Sequence, residues 1–321
     1  MKYMLGFFLF LSVFLLAEKC EYKYIDNDRV VKLSFEVKDR FGCEYDFRNI
    51  ERYSNEMNLS FELEKKPNPK RILKYIEGEK EILFDVFAYS APETDKVRDI
   101  VVANDNNILA LLHGYVAFID TAKNTVEVSS AFYRISLYKI YKNFLLKIYV
   151  TNKDFVGIDG FYHGEYLRFS YKSHNAFLKK IRNIKITDKL ILNSLETFLK
   201  PNYKNKYDSE FTLKDSTFGN DTLKDILKDI PITIKRLTQY NNIAYYLQKA
   251  GANKEAIYLL EKIVAKFPQR TVAYYNLGDA YWELGEKEKA IESYSKYVEQ
   301  MKKRGKEKKV PGEVLKRVEQ K

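Results

Sequence analysis

The sequence predicts an α+β protein in which a mainly antiparallel β domain is followed by a C-terminal α-helical solenoid. Residues 30–171 alternate between apolar and polar types with a period of two, as strands with one buried face do. Residues 237–302 have helical spacing instead, and this stretch contains two copies of one pattern. The chain of 321 residues is long enough for two such domains.

The β domain is predicted from short apolar runs that end in polar turns. Val31, Leu33 and Phe35 fall on one face of a strand, with polar residues between them. Further on, apolar runs are separated by the polar segments Asn104–Asn107 and Asp120–Asn124, which is typical of an antiparallel meander. Leu59–Leu63 repeats the alternation, Ile82–Phe87 is a further short apolar run, and Leu145–Phe169 is a weaker copy of the meander pattern. A sandwich, a curled sheet and a propeller-like meander all fit this pattern.

Each copy of the repeat is predicted to be a helical hairpin. In the second copy Tyr274, Gly278 and Tyr281 share one helical face, a break follows at Gly285, and a second helix carries Ala290. Gly278 and Ala290 are small, so the two antiparallel helices can approach each other closely. One constant shift along the chain aligns the matching residues, which are Tyr240 and Tyr274, Gly251 and Gly285, Ala256 and Ala290, and Leu260 and Tyr294.

This pattern resembles the tetratricopeptide repeat (TPR) family, whose period is about 34 residues with two helices in each repeat. Ala273–Trp282 followed by Ala290 and Tyr294 is close to the family pattern. The first copy departs from it, since Ala244 stands where glycine is usual, but Pro268 fits the end of a repeat. The resemblance implies a TPR solenoid that binds a protein or peptide partner, and it implies no reaction.

The resemblance also indicates where a partner would bind, because the first helix of each TPR repeat commonly lines a concave groove. The corresponding positions here are Asn241, Tyr245, Gln248, Tyr275, Asp279 and Trp282. Aromatic surface with a few polar groups is typical of protein interfaces. Since Asp279 is an acid where the family's carboxylate-binding clamps have Lys and Asn, a segment bearing Lys or Arg is the expected ligand. Alternatively, Tyr275 and Trp282 pack against the β domain.

Composition shifts along the chain divide it into four parts. They are a signal peptide at residues 1–17, a β-rich domain at 18–201, a linker at 202–220, and a TPR domain at 221–321 with flanking capping helices. Leu223 and Ile226 lie on one side of a short amphipathic helix that ends before Pro231 and would cover the first repeat. The basic segment Met301–Lys321 would cover the second.

The N-terminal segment, residues 1–17, favours export. Lys2 precedes an apolar run, Tyr3–Ala17, and charge returns at Glu18. The run has the length of a signal-peptide core and is short for a membrane span, which needs ~20 apolar residues. We therefore expect a periplasmic or secreted protein. The alternative is an uncleaved N-terminal anchor, because Leu15 is larger than the residue usually found before a cleavage site.

Two cysteines, Cys20 and Cys43, follow the predicted cleavage site. In an oxidising compartment this pair can form a disulfide that stabilises the fold by roughly 3 kcal/mol. Two free thiols are the alternative. No histidine or second cysteine pair lies near them, so the sequence predicts no metal site.

The net charge of +11 alone does not indicate nucleic-acid binding, because the basic runs lie in separate places and no zinc-finger spacing is present. An exported basic protein can instead contact an anionic membrane surface peripherally.

The catalytic motifs that we sought are not found in the sequence. The three histidines, His113, His163 and His174, lack the spacing of zinc enzymes, and no nucleophile elbow or phosphate-binding glycine loop occurs. We expect no cofactor. The favoured function is an exported, non-catalytic interaction module, such as an envelope assembly factor or a toxin-neutralising partner. The alternative is an envelope hydrolase or ligand-binding protein with its site in the β domain and repeats for docking.

The signal-peptide prediction can be tested by mass. We expect the mature chain to begin at or near Glu18, because charge returns there directly after the apolar run. Intact-mass measurement of protein purified from its native host would show the loss of residues 1–17. A full-length mass in the cytoplasmic fraction would contradict both export and the disulfide.

Overall fold

A computed structural model describes residues 18–26, 29–37, 71–77, 80–87, 96–103, 107–121, 125–150, 156–162, 165–200 and 213–319. It confirms the α+β class, with antiparallel sheets in the first part and helices in the second. Three predicted features lie outside the described residues: the signal peptide, the strand at Leu59–Leu63, and Cys43. The pairing of Cys20 with Cys43 therefore stays a prediction.

Two antiparallel sheets form the first part of the described chain. Their strands are Glu18–Asp26 (β1), Arg29–Val37 (β2), Arg71–Glu77 (β3), Lys80–Phe87 (β4), Lys96–Ala103 (β5), Ile108–Thr121 (β6), Thr125–Ile140 (β7), Leu145–Ile148 (β8), Val156–Tyr162 (β9) and Glu165–Leu167 (β10). The first sheet has the order β1-β2-β3-β4. The second has the order β10-β9-β7-β6-β5, and β8 also pairs with β7.

The turns predicted from polar segments connect neighbouring strands. Ala103 pairs with Ile108, and Asn107 between them has a φ of +47°. Asparagine tolerates this left-handed conformation better than most residues. Thr121 pairs with Thr125, so β6 and β7 form a long hairpin with a short connection. This confirms the antiparallel meander in this part of the chain.

Helices make up most of the described chain after the last strand. They are His174–Arg182 (α1), Asp188–Leu199 (α2), Asn220–Asp229 (α3), Leu237–Lys249 (α4), Asn253–Lys266 (α5), Thr271–Glu283 (α6), Lys287–Lys303 (α7) and Gly312–Val318 (α8). Short 3₁₀ turns lie at Leu213–Asp215 and Glu307–Lys309. The first two helices begin at side-chain caps, because Ser173 accepts a hydrogen bond from the N–H of Ala176 and Thr187 from that of Leu190.

The second sheet and the helical region share one hydrophobic core. Helix α2 lies between them and contacts both β8 and α4. On the sheet side, the N–H of Tyr149 donates to Ser194 Oγ at 3.1 Å. On the other side, Gln239 donates to Asn193 Oδ1 at 2.6 Å, and Arg236 forms an ion pair with Asp188. Of the predicted linker, residues 213–219 are described, and Leu213 and Phe218 pack against this core.

The helical hairpins predicted from the repeat are α4 with α5 and α6 with α7. Gly251 and Gly285 begin the turns after the first helices, at φ of +82° and +79°. Only glycine adopts this conformation without strain, which explains why both copies have it there. Helix α3 packs against α5, and α8 packs against α7. These two helices lie where the capping segments were predicted.

In the second hairpin, the backbone of Gly278 on α6 lies very close to the ring of Tyr294 on α7. A Cβ atom at Gly278 would lie 2.5 Å from ring carbons of Tyr294, which is fully buried. The ring therefore occupies the space that any larger residue at position 278 would need.

Replacing Gly278 with alanine should destabilise the protein by about 1–3 kcal/mol, because the buried ring of Tyr294 has to move. Gly312→Ala is the matched control, since a Cβ there meets nothing within 4 Å and glycine is the poorer helix former. Denaturant unfolding of both variants measures the difference. Equal stability of the two variants would mean that the contact tolerates a methyl group.

Candidate functional site

The predicted groove positions lie on the first helix of each repeat but differ in exposure. On α4, Asn241 is buried at 4% exposure and Tyr245 is open to solvent at 39%. Gln248 on the same helix is half-buried, as are the three positions on α6, Tyr275, Asp279 and Trp282. Burial makes Asn241 a packing residue and leaves Tyr245 as the most accessible of the six. Their role in binding stays a prediction.

Asp279 lies within a chain of polar contacts. Tyr294 donates its hydroxyl proton to Asp279 Oδ1 at 2.7 Å, and Arg317 donates to the Tyr294 hydroxyl oxygen at 2.6 Å. The guanidinium of Arg317 also lies 3.7 Å from Asp279 Oδ1, and both side chains are largely buried, at 22% and 18% exposure. The carboxylate is therefore already paired inside the protein.

Trp282 is covered by the same arginine. The Arg317 guanidinium lies over the indole ring, with its carbon 4.5 Å from the ring centroid. This cation–π contact links α8 to α6. Trp282 therefore contributes to the packing of the C-terminal cap.

Burial and nearby charge shift the pKa of Asp279 in opposite directions. Burial raises the pKa of its carboxyl above the ordinary value, while the hydrogen bond from Tyr294 and the charge of Arg317 lower it. Burial, followed by the hydrogen bond to Asp279, raises the pKa of the Tyr294 hydroxyl. The nearby guanidinium of Arg317 therefore favours the charged form of the Asp279 carboxylate.

Sequence reasoning did not identify Arg317. A segment bearing Lys or Arg was expected at Asp279 from a partner, and in the structure an arginine of the chain's own C-terminal helix lies there. The signal was weak, since position 317 is one of many basic residues in the segment after α7.

A second feature, which we call the junction cleft, lies where α4 and α6 begin and α7 ends. Its volume is about 720 Å³. Its apolar lining includes Ile234, Leu237, Val272, Tyr275 and Met301, and its basic lining residues are Lys266, Arg270 and Arg304. Of the predicted groove residues, Tyr275 lines this cleft.

The wall of the junction cleft is held in place by Gln300 of α7 and by Arg304, which directly follows that helix. Gln300 accepts a hydrogen bond from the Thr271 hydroxyl at 2.7 Å and donates to the carbonyl of Pro268 at 2.8 Å. Arg304 donates to the carbonyl of Gln269 at 2.8 Å. The turn between α5 and α6 is therefore fixed before any ligand arrives, which lowers the entropy cost of binding.

Neither a metal site nor a membrane-spanning helix is found in the part of the chain that the structure describes. Within these residues, no group of three or more His, Cys, Asp or Glu side chains could hold a metal ion. No helix there is both long and apolar enough to cross a bilayer.

Removing the charge of Arg317 should make stability more sensitive to pH. In Arg317→Gln the pKa of Asp279 rises further, because burial is no longer offset by the guanidinium. The native state then favours the protonated carboxyl, so its stability falls as pH rises from the ordinary pKa towards the raised one. We expect a loss of about 1–3 kcal/mol at neutral pH and a smaller loss below the ordinary pKa.

The matched control is Lys316→Gln, which removes the same charge from an exposed neighbour on α8. Denaturant unfolding of both variants across this pH range measures the effect. A destabilisation of Arg317→Gln that stays constant with pH would assign the loss to the contacts of Arg317 with Trp282 and with the Tyr294 hydroxyl.

Comparison with known proteins agrees with the helical geometry. Residues 247–306 match the family model described as tetratricopeptide repeat. The match begins within α4 and extends just past α7, so it includes the second hairpin and most of the first. Comparison with curated proteins gave no match. Residues 247–306 of this chain therefore form a tetratricopeptide-repeat region.

Proposed function

We propose that this protein is an exported, non-catalytic interaction module whose TPR region binds a protein partner in the cell envelope. An assembly factor and a toxin-neutralising protein both belong to this class. The observation that carries the proposal is the match of residues 247–306 to a repeat whose general role is to bind proteins.

The surface of the repeat region supports this role. Large apolar side chains are exposed there, among them Ile234 at 71% and Tyr245 at 39%. Tyr245 packs edge-to-face on Tyr246, with ring centroids 5.4 Å apart, and Lys249 lies 5.4 Å from its ring. A tyrosine held by its neighbours loses little side-chain entropy on binding, which favours it as an anchor for a partner.

Export is supported by the apolar run Tyr3–Ala17 and the return of charge at Glu18. An extracytoplasmic location also gives Cys20 and Cys43 an environment in which they can pair. A peripheral contact with anionic lipid is compatible with the net charge of +11.

Affinity capture from a native envelope extract tests the proposal. The full-length protein is used as bait, and captured proteins are identified by mass. Tyr245→Ala should reduce the captured amount at least about tenfold with little change in melting temperature, because the side chain is exposed.

The control is Leu284→Ala, which removes an apolar side chain of similar exposure, 38%, from the end of α6. It should leave capture unchanged. If neither wild-type nor control bait retains a protein above background, the protein-binding role in the envelope is wrong.

A further inference from the structure

We propose that the junction cleft binds an acidic peptide segment, with an apolar side chain of the peptide between α4 and α6 and its carboxylates on Lys266, Arg270 and Arg304. The inference rests on the proposed protein-binding function and names the chemistry of the partner. It also differs from the sequence-based expectation of a ligand bearing Lys or Arg.

The shape of the cleft fits an apolar side chain of a peptide. Its volume is about 720 Å³, and Ile234 and Leu237 near the start of α4 line it together with Val272 and Tyr275 of α6. Ile234 and Val272 are among the exposed large hydrophobic residues, so water covers apolar surface at the cleft. Covering that surface with a ligand side chain is favourable.

The charge of the cleft is positive without compensation. Among the described residues, no carboxylate lines it and no ion pair is formed by Lys266, Arg270 or Arg304. Other cations of the repeat region do have acidic neighbours, for example Lys303 with Glu299 at 2.7 Å and Arg317 with Asp279. Positive charge beside an apolar floor is complementary to an acidic, partly apolar segment.

Two of these cations lie at helix ends where the helix dipole favours a positive charge, but the third does not. Lys266 is in the last turn of α5 and Arg304 directly follows α7, where a positive charge stabilises the helix end. Arg270 precedes the first turn of α6, where the dipole disfavours a cation. A carboxylate bound there would interact favourably with both Arg270 and the helix N-terminus.

Arg270 is also incompletely paired. One of its terminal nitrogens lies 3.4 Å from the Thr238 hydroxyl oxygen, whereas its buried Nε–H has no hydrogen-bond partner among the described residues. The buried Nε–H is out of reach of a ligand, but Arg270 lines the preformed cleft, where the terminal nitrogens of a guanidinium can bind a carboxylate.

The test uses the full-length protein and a library of random short peptides, selected for binding at low salt. We expect the selected peptides to combine Asp or Glu with a large apolar residue. Their affinity for the protein should fall as salt is raised, because exposed charges are screened. Selection of basic or uncharged sequences would overturn the proposal.

A charge-reversal pair locates the site. In Lys266→Glu/Arg304→Glu the affinity for a selected acidic peptide should fall at least about tenfold. The control Lys262→Glu/Lys302→Glu makes the same change in charge on the same two helices, at exposed positions outside the cleft. Equal loss in both variants would mean general attraction to a basic surface and not binding in the cleft.

Ile234→Glu tests the apolar part of the site, and it should preserve the fold because the side chain is 71% exposed. This variant should lower the affinity for the selected peptide as much as the charge reversal does. Unchanged affinity would contradict the assigned site. Vesicles with anionic lipid are assayed in parallel. Binding to them that requires Lys266 and Arg304, without peptide binding, would replace the peptide with a membrane surface.

The outcomes separate this inference from the proposed function. Peptides that bind at Tyr245 and are unaffected by the cleft variants would disprove the cleft site while supporting protein binding by the repeats. If no peptide is selected and extract capture also fails, both proposals are wrong.

Discussion

The packing of Tyr294 is the contact on which the repeat region depends. Its ring lies directly against the backbone of Gly278, so α6 and α7 can approach only with glycine at that position. Its hydroxyl donates to Asp279 and accepts from Arg317. One buried side chain thereby joins the two helices of a hairpin and the helix that caps them. A polar group can be buried here because each of its hydrogen-bonding atoms has a partner.

Side-chain hydrogen bonds also connect the repeat region to the second sheet. Helix α2 has one side against β8 and the other against α4, and side-chain hydrogen bonds fix both contacts. Phe144, which follows β7, packs against Phe198 of α2 and against Phe218. The apolar core therefore continues from the sheet into the repeats, and the repeat region has a fixed neighbour at its N-terminal end.

Buried and surface charges of the repeat region differ in whether they have a charged partner. The acid at position 279 is neutralised by Arg317, although the sequence made it look like a binding determinant. Lys266, Arg270 and Arg304 line an apolar cleft to which none of the described residues contributes a carboxylate. Buried charge needs a partner within the fold, whereas charge at a surface can stay unpaired at little cost because water solvates it. Asp279 is therefore occupied within the fold, whereas the cations that line the junction cleft are accessible to a ligand.

The sequence alone determined the features that depend on local periodicity. Alternation predicted strands such as β2, polar segments predicted the turns near Asn107 and after β6, and the internal repeat predicted both hairpins and the small residue at Gly278. These features follow from which residues share a face of one strand or helix, and spacing encodes that directly. Only the tertiary structure decided that Asn241 is buried, that Arg317 reaches Asp279, and that a cleft opens beside Arg270. Such contacts join residues from different helices, and they depend on how those helices pack, which the spacing within each helix does not specify.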